Sequence, residues 1–134
     1  MKIGLVVAEF NREITEKMER GAEEHIKKLG HTVAKKFFVY GALDSPLAMQ
    51  HLLKQNDIDA VVVLGAVVTG DTDHDVVVVR VAEMGVVELT LKYGKPIGWG
   101  ISGPKQTWDQ ADLRAEEYAR RAVEAVVKIY SQMK

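Results

Sequence analysis

The amino-acid sequence predicts an α/β protein, a three-layer sandwich in which helices cover both faces of a parallel sheet. Short apolar runs alternate four times with longer stretches of helical periodicity along the 134 residues. One of these runs, DAVVVLGAVV at 59–68, is continuously apolar, as is typical of a strand with helices on both sides. Strands that are connected through helices run in the same direction, so the alternation indicates a parallel sheet.

The first strand and helix are predicted at the amino terminus. The run KIGLVVA at 2–8 is typical of a buried strand. The segment 12–30 carries its apolar residues on one helical stripe and its charges elsewhere, which predicts an amphipathic helix. Asn11 is the expected N-cap of this helix, and Gly30 is its expected end.

The second strand and helix follow the same pattern. The run HTVAKKFFVY at 31–40 predicts a strand, and the segment 45–56 predicts a helix. Ser45 is the expected N-cap of this helix because Pro46 then falls in its first turn, where proline is favoured.

The second half of the chain contains one ambiguous segment. The valines at 76–79 favour a strand by propensity, but the segment 74–94 is too long for one strand, so a helix is predicted there. The run KPIGWGIS at 95–102 predicts the fourth strand, and the segment 106–134 predicts the last helix.

The composition excludes several classes of protein. Apolar residues make up 47% and charged residues 28%, which is typical of a globular domain, and a formal net charge of −1 gives no attraction to nucleic acid or anionic lipid. There is no cysteine, which excludes disulfides and thiolate chemistry. No apolar stretch has the roughly 20 residues of a membrane span, and the first residues do not resemble a signal peptide. We therefore expect one cytoplasmic domain over residues 1–134.

Unusual residues gather in the loops that follow the predicted strands. Ligands of open parallel sheets bind outside the carboxyl ends of the strands. Phe10 follows the first strand directly, Asp44 precedes a predicted helix, and Trp99 lies between two glycines that leave its ring face open. These loops predict an aromatic-lined pocket for a planar ligand.

Each of these residues also has a purely structural interpretation. Phe10 could pack onto the following helix as a hydrophobic staple. Asp44 and Ser45 could be ordinary capping residues. Trp99 could belong to the core, its neighbouring glycines serving only close helix packing.

The segment TGDTDHD at 69–75 has two interpretations as well. As a helix start, it needs only Thr72 or Asp73 as N-cap and acids in the first turn. As a binding site, its glycine-led turn would expose backbone N–H groups at a helix N-terminus, which suits a phosphate. Arg114 could then clamp the phosphate, and His74 could transfer protons near neutral pH. Both interpretations stay open on these grounds.

Five segments, taken together and in order, are similar to the motifs of the 6,7-dimethyl-8-ribityllumazine synthase family. They are FNREIT (10–15), GALDSP (41–46), DAVVVLGAVVTGDTDH (59–74), KPIGWGIS (95–102) and DQADLRA (109–115). The resemblance covers nearly the whole chain and is greatest to the short archaeal-type members.

The resemblance implies a reaction and an assembly. The family condenses 5-amino-6-(D-ribitylamino)uracil with 3,4-dihydroxy-2-butanone 4-phosphate and releases phosphate and water, without a metal or an organic cofactor. It implies a flavodoxin-like sheet in the order 2-1-3-4. It also implies homopentamers, often twelve of them in a hollow 60-subunit shell, with each site between two neighbouring subunits.

The resemblance further implies a role for individual residues. His74 matches the acid–base histidine of the family. The positions that match its substrate-binding residues are Phe10, Asn11, Ala42, Leu43, Asp44, Val67, Val68 and Trp99, the last reached from the adjacent subunit. The positions that match its phosphate-binding residues are Gly70, Asp71, Thr72 and Arg114, with the phosphate held by backbone groups of the turn. Because a carboxylate beside a phosphate repels it, the side chain of Asp71 would then have to point away.

The chain departs from the family pattern beside the proposed site. Tyr40 replaces a common proline, Leu43 an aromatic residue, Ser45 an aliphatic residue, and Leu113 the acid that usually precedes the arginine. These departures leave a second hypothesis open, that of a catalytically weak or inactive relative that binds flavin or lumazine or forms a shell. An archaeal-type riboflavin synthase and a generic nucleotide binder are further alternatives, and both account less well for the phosphate turn after the third strand.

Overall fold

The computed structural model describes residues 1–134 and contains four strands and four α-helices. In chain order they are β1 (Lys2–Ala8), α1 (Arg12–Lys28), β2 (Thr32–Val39), α2 (Ser45–Leu53), β3 (Ala60–Ala66), α3 (His74–Tyr93), β4 (Ile97–Ser102) and α4 (Trp108–Gln132). The strands form one parallel sheet in the order β2-β1-β3-β4. The predicted α/β class and the implied flavodoxin-like order 2-1-3-4 are thus confirmed.

Two hydrophobic cores lie on the two faces of the sheet. Side chains alternate between the faces along a strand. In β1, Ile3, Leu5 and Val7 pack with α1 and α4, whereas Val6 and Ala8 pack with α2 and α3. All seven residues of β3 are buried, as its continuous apolar run predicts for a strand covered on both faces.

The α3 segment, which the sequence left ambiguous, is a helix of 20 residues. Its buried residues Val78, Val79, Ala82 and Leu89 recur at helical spacing and face α2 and the sheet. The helix ends at Gly94, whose φ of 62° is the left-handed conformation that glycine adopts readily. Tertiary burial of one face therefore outweighs the strand propensity of the valines.

Helix α4 lies very close to the sheet edge. Its inward face consists largely of buried alanines, among them Ala115, Ala119 and Ala122. A Cβ atom added to Gly98 of β4 would lie 2.3 Å from the carbonyl oxygen of Ala122. The glycine thus permits a close approach between strand and helix, the packing role that one interpretation of this segment predicted.

The expected capping role of Ser45 is wrong. Ser45 is the first residue of α2 and fully buried, and its hydroxyl donates to the carbonyl of Ala42 at 2.7 Å. A short 3₁₀ turn at Ala42–Asp44 precedes the helix and leaves Asp44 at the cap position without a side-chain capping bond. The serine therefore bonds backward into that turn.

None of the helices combines the length and apolarity that crossing a membrane requires.

Candidate functional site

A cavity of about 430 Å³ opens at the carboxyl ends of β1, β2 and β3, where open parallel sheets bind ligands. Its volume falls in the range of small-molecule sites. Its lining combines apolar side chains with a few polar groups: Ala8, Phe10, Asn11, Tyr40, Gly41, Ala42, Leu43, Asp44, Ala66, Val67, Val68, Thr69, His74, Asp75 and Val78. The structure thus brings eight of the sequence-predicted site residues together around one space.

Phe10 and Asn11 form the β1–α1 corner of the cavity. Asn11 occupies the expected N-cap position, but its φ of 61° and ψ of 49° are left-handed, and its side chain makes no capping bond. Instead its Nδ2 donates to the carbonyl of Ala66 at the end of β3, at 3.0 Å. This bond fastens the loop across the sheet. Phe10 is 58% exposed, and its ring lies against Tyr40.

The segment after β2 forms the adjoining side of the cavity. Ala42 is buried, whereas Leu43 is 47% exposed. The carboxylate of Asp44 accepts a hydrogen bond from the backbone N–H of Gly41 at 3.1 Å, which tightens the turn. The second carboxylate oxygen of Asp44 remains available to a ligand, because a carboxylate has two acceptor oxygens.

The loop after β3 forms the floor and is held by Gln106, which is buried. The carbonyl of Gln106 accepts from the N–H of Thr69 at 2.8 Å, and its Nε2 donates to the carbonyl of Val67 at 3.2 Å and to Ser102 Oγ at 2.8 Å. Val67 and Val68 are half-buried and line the cavity. Their apolar surface suits the face of a flat ring.

An adjoining depression is formed by the glycine-led turn. Gly70, Asp71 and Thr72 line it and are exposed. Thr72 Oγ1 accepts from the backbone N–H of His74 at 3.3 Å, so the threonine rather than Asp73 bonds the first turn of α3. The remaining N–H groups of this helix end give the turn a positive electrostatic character.

The cavity and the depression share two lining residues, Thr69 and Asp75. Asp75 is only 5% exposed, and its Oδ2 accepts from the backbone N–H of Lys105 at 2.9 Å. This bond ties the loop before α4 to the start of α3. Lys105 has a φ of 60°, unusual for a residue other than glycine, and it is the one basic residue that lines the depression.

Two sequence-predicted residues do not reach the cavity within one chain. Trp99 lies inside β4 opposite Val63, half-buried against the α2–α3 core. Arg114 lies on α4 with its surface exposed, and it lines neither the cavity nor the depression. A single chain therefore provides the pocket, the turn and His74, but not these two side chains.

The sequence-based prediction assigned no role to several other residues that line the two spaces, among them Tyr40 and Gly41 in the cavity, Lys105 in the depression, and Thr69 and Asp75 in both. The signal for Tyr40 is the exposure of its aromatic ring, which is known only from the structure. Nothing in the segment 69–75 distinguishes Asp75 from its neighbouring acids. No group of three or more His, Asp or Glu side chains is arranged to hold a metal ion.

Comparisons with known proteins agree on one family. A family model described as 6,7-dimethyl-8-ribityllumazine synthase matches residues 1–134. The protein of that name from Methanocaldococcus jannaschii is 48% identical over 134 residues, covering 100% of this chain and 94% of its own. Those of Methanococcus maripaludis strain C5 and Methanopyrus kandleri are also 48% identical over 134 residues, covering all of this chain and 97% and 94% of their own.

Proposed function

The chain belongs to the 6,7-dimethyl-8-ribityllumazine synthase family, and we propose that it catalyses the reaction of that name as a transferase of riboflavin biosynthesis. It condenses 5-amino-6-(D-ribitylamino)uracil with 3,4-dihydroxy-2-butanone 4-phosphate to give the lumazine, phosphate and water. The observation that carries the proposal is one cavity that joins an aromatic and aliphatic ring pocket to His74 and borders the glycine-led turn.

The pyrimidine ring occupies the apolar side of the cavity. Phe10 offers an exposed ring face, and Val67 and Val68 line the same space. The polar groups near them, on Asn11 and Asp44, suit the amide and hydroxyl groups of a ribitylaminouracil. An apolar pocket with a few polar groups binds a polar heterocycle in one orientation.

The phosphate of the second substrate lies at the turn of Gly70, Asp71 and Thr72. The backbone N–H groups at the start of α3 and the positive end of the helix favour an anion there. The carboxylate of Asp71 repels a phosphate and therefore points away from it. Arg114 of a neighbouring subunit completes the charge balance as a bidentate partner.

His74 transfers protons between the two subsites. It is the first residue of α3, lines the cavity, and bonds through its backbone to Thr72 of the phosphate turn. Imine formation from the amine and the ketone, loss of phosphate and ring closure each require a proton to move, and an imidazole exchanges protons readily near neutral pH. Holding two substrates together provides much of the remaining acceleration.

The complete site requires a second subunit, and we propose the pentamer implied by the resemblance. An apolar stripe along α3 supports association with other copies, since it is exposed in one chain: Val77, Val81, Met84, Val87 and Leu91 are 40–79% exposed. Such a contiguous apolar surface is typical of subunit contacts. Trp99 and Arg114, which do not reach their own cavity, are available to a neighbour. A 60-subunit shell and a cytoplasmic location stay predictions.

The test is lumazine formation by the purified protein. Both substrates are mixed with the wild type, with His74→Ala, with the control His51→Ala, and without protein. The exposed imidazole of His51 lies on α2 outside the cavity. We expect the wild type to accelerate the reaction, His51→Ala to match it, and His74→Ala to lose up to about 100-fold in rate without losing all activity. A wild type no faster than the protein-free mixture contradicts the proposal and favours the binding or shell-forming relative.

A further inference from the structure

We infer that Tyr40 is a second wall of the ring subsite and determines how tightly the fused-ring product is held. This inference rests on the proposed function and adds a residue that the family resemblance does not assign. In this arrangement Phe10 and Tyr40 form an aromatic corner, and the flat ring of the ligand contacts one ring with its face and the other with its edge.

The backbone holds the two rings together. Two main-chain hydrogen bonds join the segments at the ends of β1 and β2: the N–H of Glu9 donates to the carbonyl of Val39 at 2.8 Å, and that of Phe10 donates to the carbonyl of Tyr40 at 2.9 Å. The ring centroids of Phe10 and Tyr40 are 6.1 Å apart with planes inclined by 60°. The main chain that carries the two rings is therefore held together by hydrogen bonds.

Both rings have free surface directed to the same space. Tyr40 is 77% exposed and Phe10 58% exposed, although both line the cavity. Aromatic rings favour tilted or offset partners with centroids about 4.5–7 Å apart, the range of the existing pair, so a ligand ring on Phe10 also lies within reach of Tyr40. The greater exposure of Tyr40 places it at the outer rim, where the second ring of a fused bicycle extends.

Phe38 offers a matched control nearby in the chain. It lies in β2, two residues before Tyr40. Phe38 is also exposed, at 42%, but it does not line the cavity, and the guanidinium of Arg12 lies 5.5 Å from its ring centroid. A change at Phe38 thus removes an exposed ring from the strand without touching the aromatic corner.

The experiment measures two dissociation constants for each variant, one for 6,7-dimethyl-8-ribityllumazine and one for inorganic phosphate. We expect Tyr40→Leu to weaken lumazine binding about 3- to 10-fold, as the loss of one aromatic contact predicts. Tyr40→Phe and Phe38→Leu stay within about twofold of the wild type. Phosphate binding is unchanged in all three variants, which separates a lost ring contact from a damaged site.

Two results would overturn the role of Tyr40 and leave the proposed function intact. One is wild-type lumazine affinity in Tyr40→Leu while Phe10→Leu binds weakly. The other is an equal loss in Tyr40→Phe and Tyr40→Leu, because the phenyl ring would then contribute nothing. A wild type that binds neither lumazine nor phosphate contradicts the proposed function itself.

Discussion

The closest approach between the sheet and α4 gives the sharpest stability prediction. A Cβ atom at Gly98 would lie 2.3 Å from the carbonyl oxygen of Ala122 and 2.9 Å from a methyl carbon of Val126, where ordinary contact begins at 3.4 Å. The oxygen belongs to the backbone of a long helix and has no rotamer to change. Gly98→Ala therefore forces α4 away from β4 by roughly 1 Å, an overpacking strain at the upper end of the usual range.

We expect Gly98→Ala to lower the free energy of unfolding by about 3 kcal/mol. Where there is room for a Cβ atom, replacing a strand glycine by alanine stabilises a protein by roughly 0.5–1 kcal/mol. The sign of the change in unfolding free energy therefore already distinguishes a crowded position from an open one. The assay is urea denaturation at one fixed protein concentration, since oligomers unfold in a concentration-dependent way. Gly70→Ala is the control, because nothing lies within 4 Å of its added Cβ and the expected change is about 0.5 kcal/mol or less. A Gly98→Ala protein within about 1 kcal/mol of the wild type, with an unchanged m value, would refute the packing argument.

Three further predictions concern the cavity corner and two titrating groups. Asn11→Ala should lower the free energy of unfolding by about 2 kcal/mol, because alanine is strained in the left-handed conformation and the hydrogen bond to Ala66 is lost. Asn11→Gly loses only the hydrogen bond and should lower it by about 1 kcal/mol. Urea denaturation measures both changes. Burial raises the pKa of Glu19, but hydrogen bonds from Lys36 and a neighbouring arginine outweigh it and lower the pKa below 4.5. The ionised carboxylate of Glu19 therefore stabilises the fold above pH 4.5, and this contribution is lost as the pH falls through the lowered pKa. The difference in unfolding free energy between wild type and Glu19→Gln should shrink as the pH is lowered toward 3. Burial, the charge of the amino terminus and a nearby lysine lower the pKa of His31 below 6.5. The native state therefore binds fewer protons at His31 than the unfolded state, and the free energy of unfolding should fall as the pH drops below 6.5. His31→Gln should remove this pH dependence.

Each of these predictions has a result that contradicts it. Equal losses in Asn11→Ala and Asn11→Gly would show that the left-handed backbone stores no strain. A wild-type advantage over Glu19→Gln that stays constant from pH 7 to pH 3 would show that the carboxylate is not stabilised by its partners. An identical fall in stability for wild type and His31→Gln below pH 6.5 would assign the slope to other groups.

The sequence predicted the fold because its two strongest signals are local. Continuous apolar runs and helical stripes identify strands and helices, and the resemblance supplied the strand order. The predicted capping role of Ser45 is wrong because a serine before a proline is typical of an N-cap whether its hydroxyl bonds forward into the helix or, as here, backward to Ala42. A 3₁₀ turn of three residues has no periodicity to detect.

The site was predicted where it depends on motif order and missed where it depends on tertiary placement. Phe10 and His74 follow or begin regular elements, so their position at the sheet edge follows from the fold. The second strand was predicted to include Tyr40, so the exposure of its ring at the cavity was not expected, and Lys105 reaches the depression through a left-handed backbone that no local pattern encodes. Arg114 is exposed on α4 and lines neither space of its own chain, and its contact with the phosphate is proposed for a neighbouring subunit.

We propose that each site is completed by two subunits, with His74 from one and Arg114 from the next. The most direct measurement is lumazine formation by mixed oligomers made by co-expressing His74→Ala with Arg114→Ala in equal amounts. If neighbouring subunits share each site, about one site in four contains both native side chains, and turnover should rise to about a quarter of the wild-type rate above the residual rates of the separate variants. Turnover no higher than the average of the two separate variants would contradict a shared site.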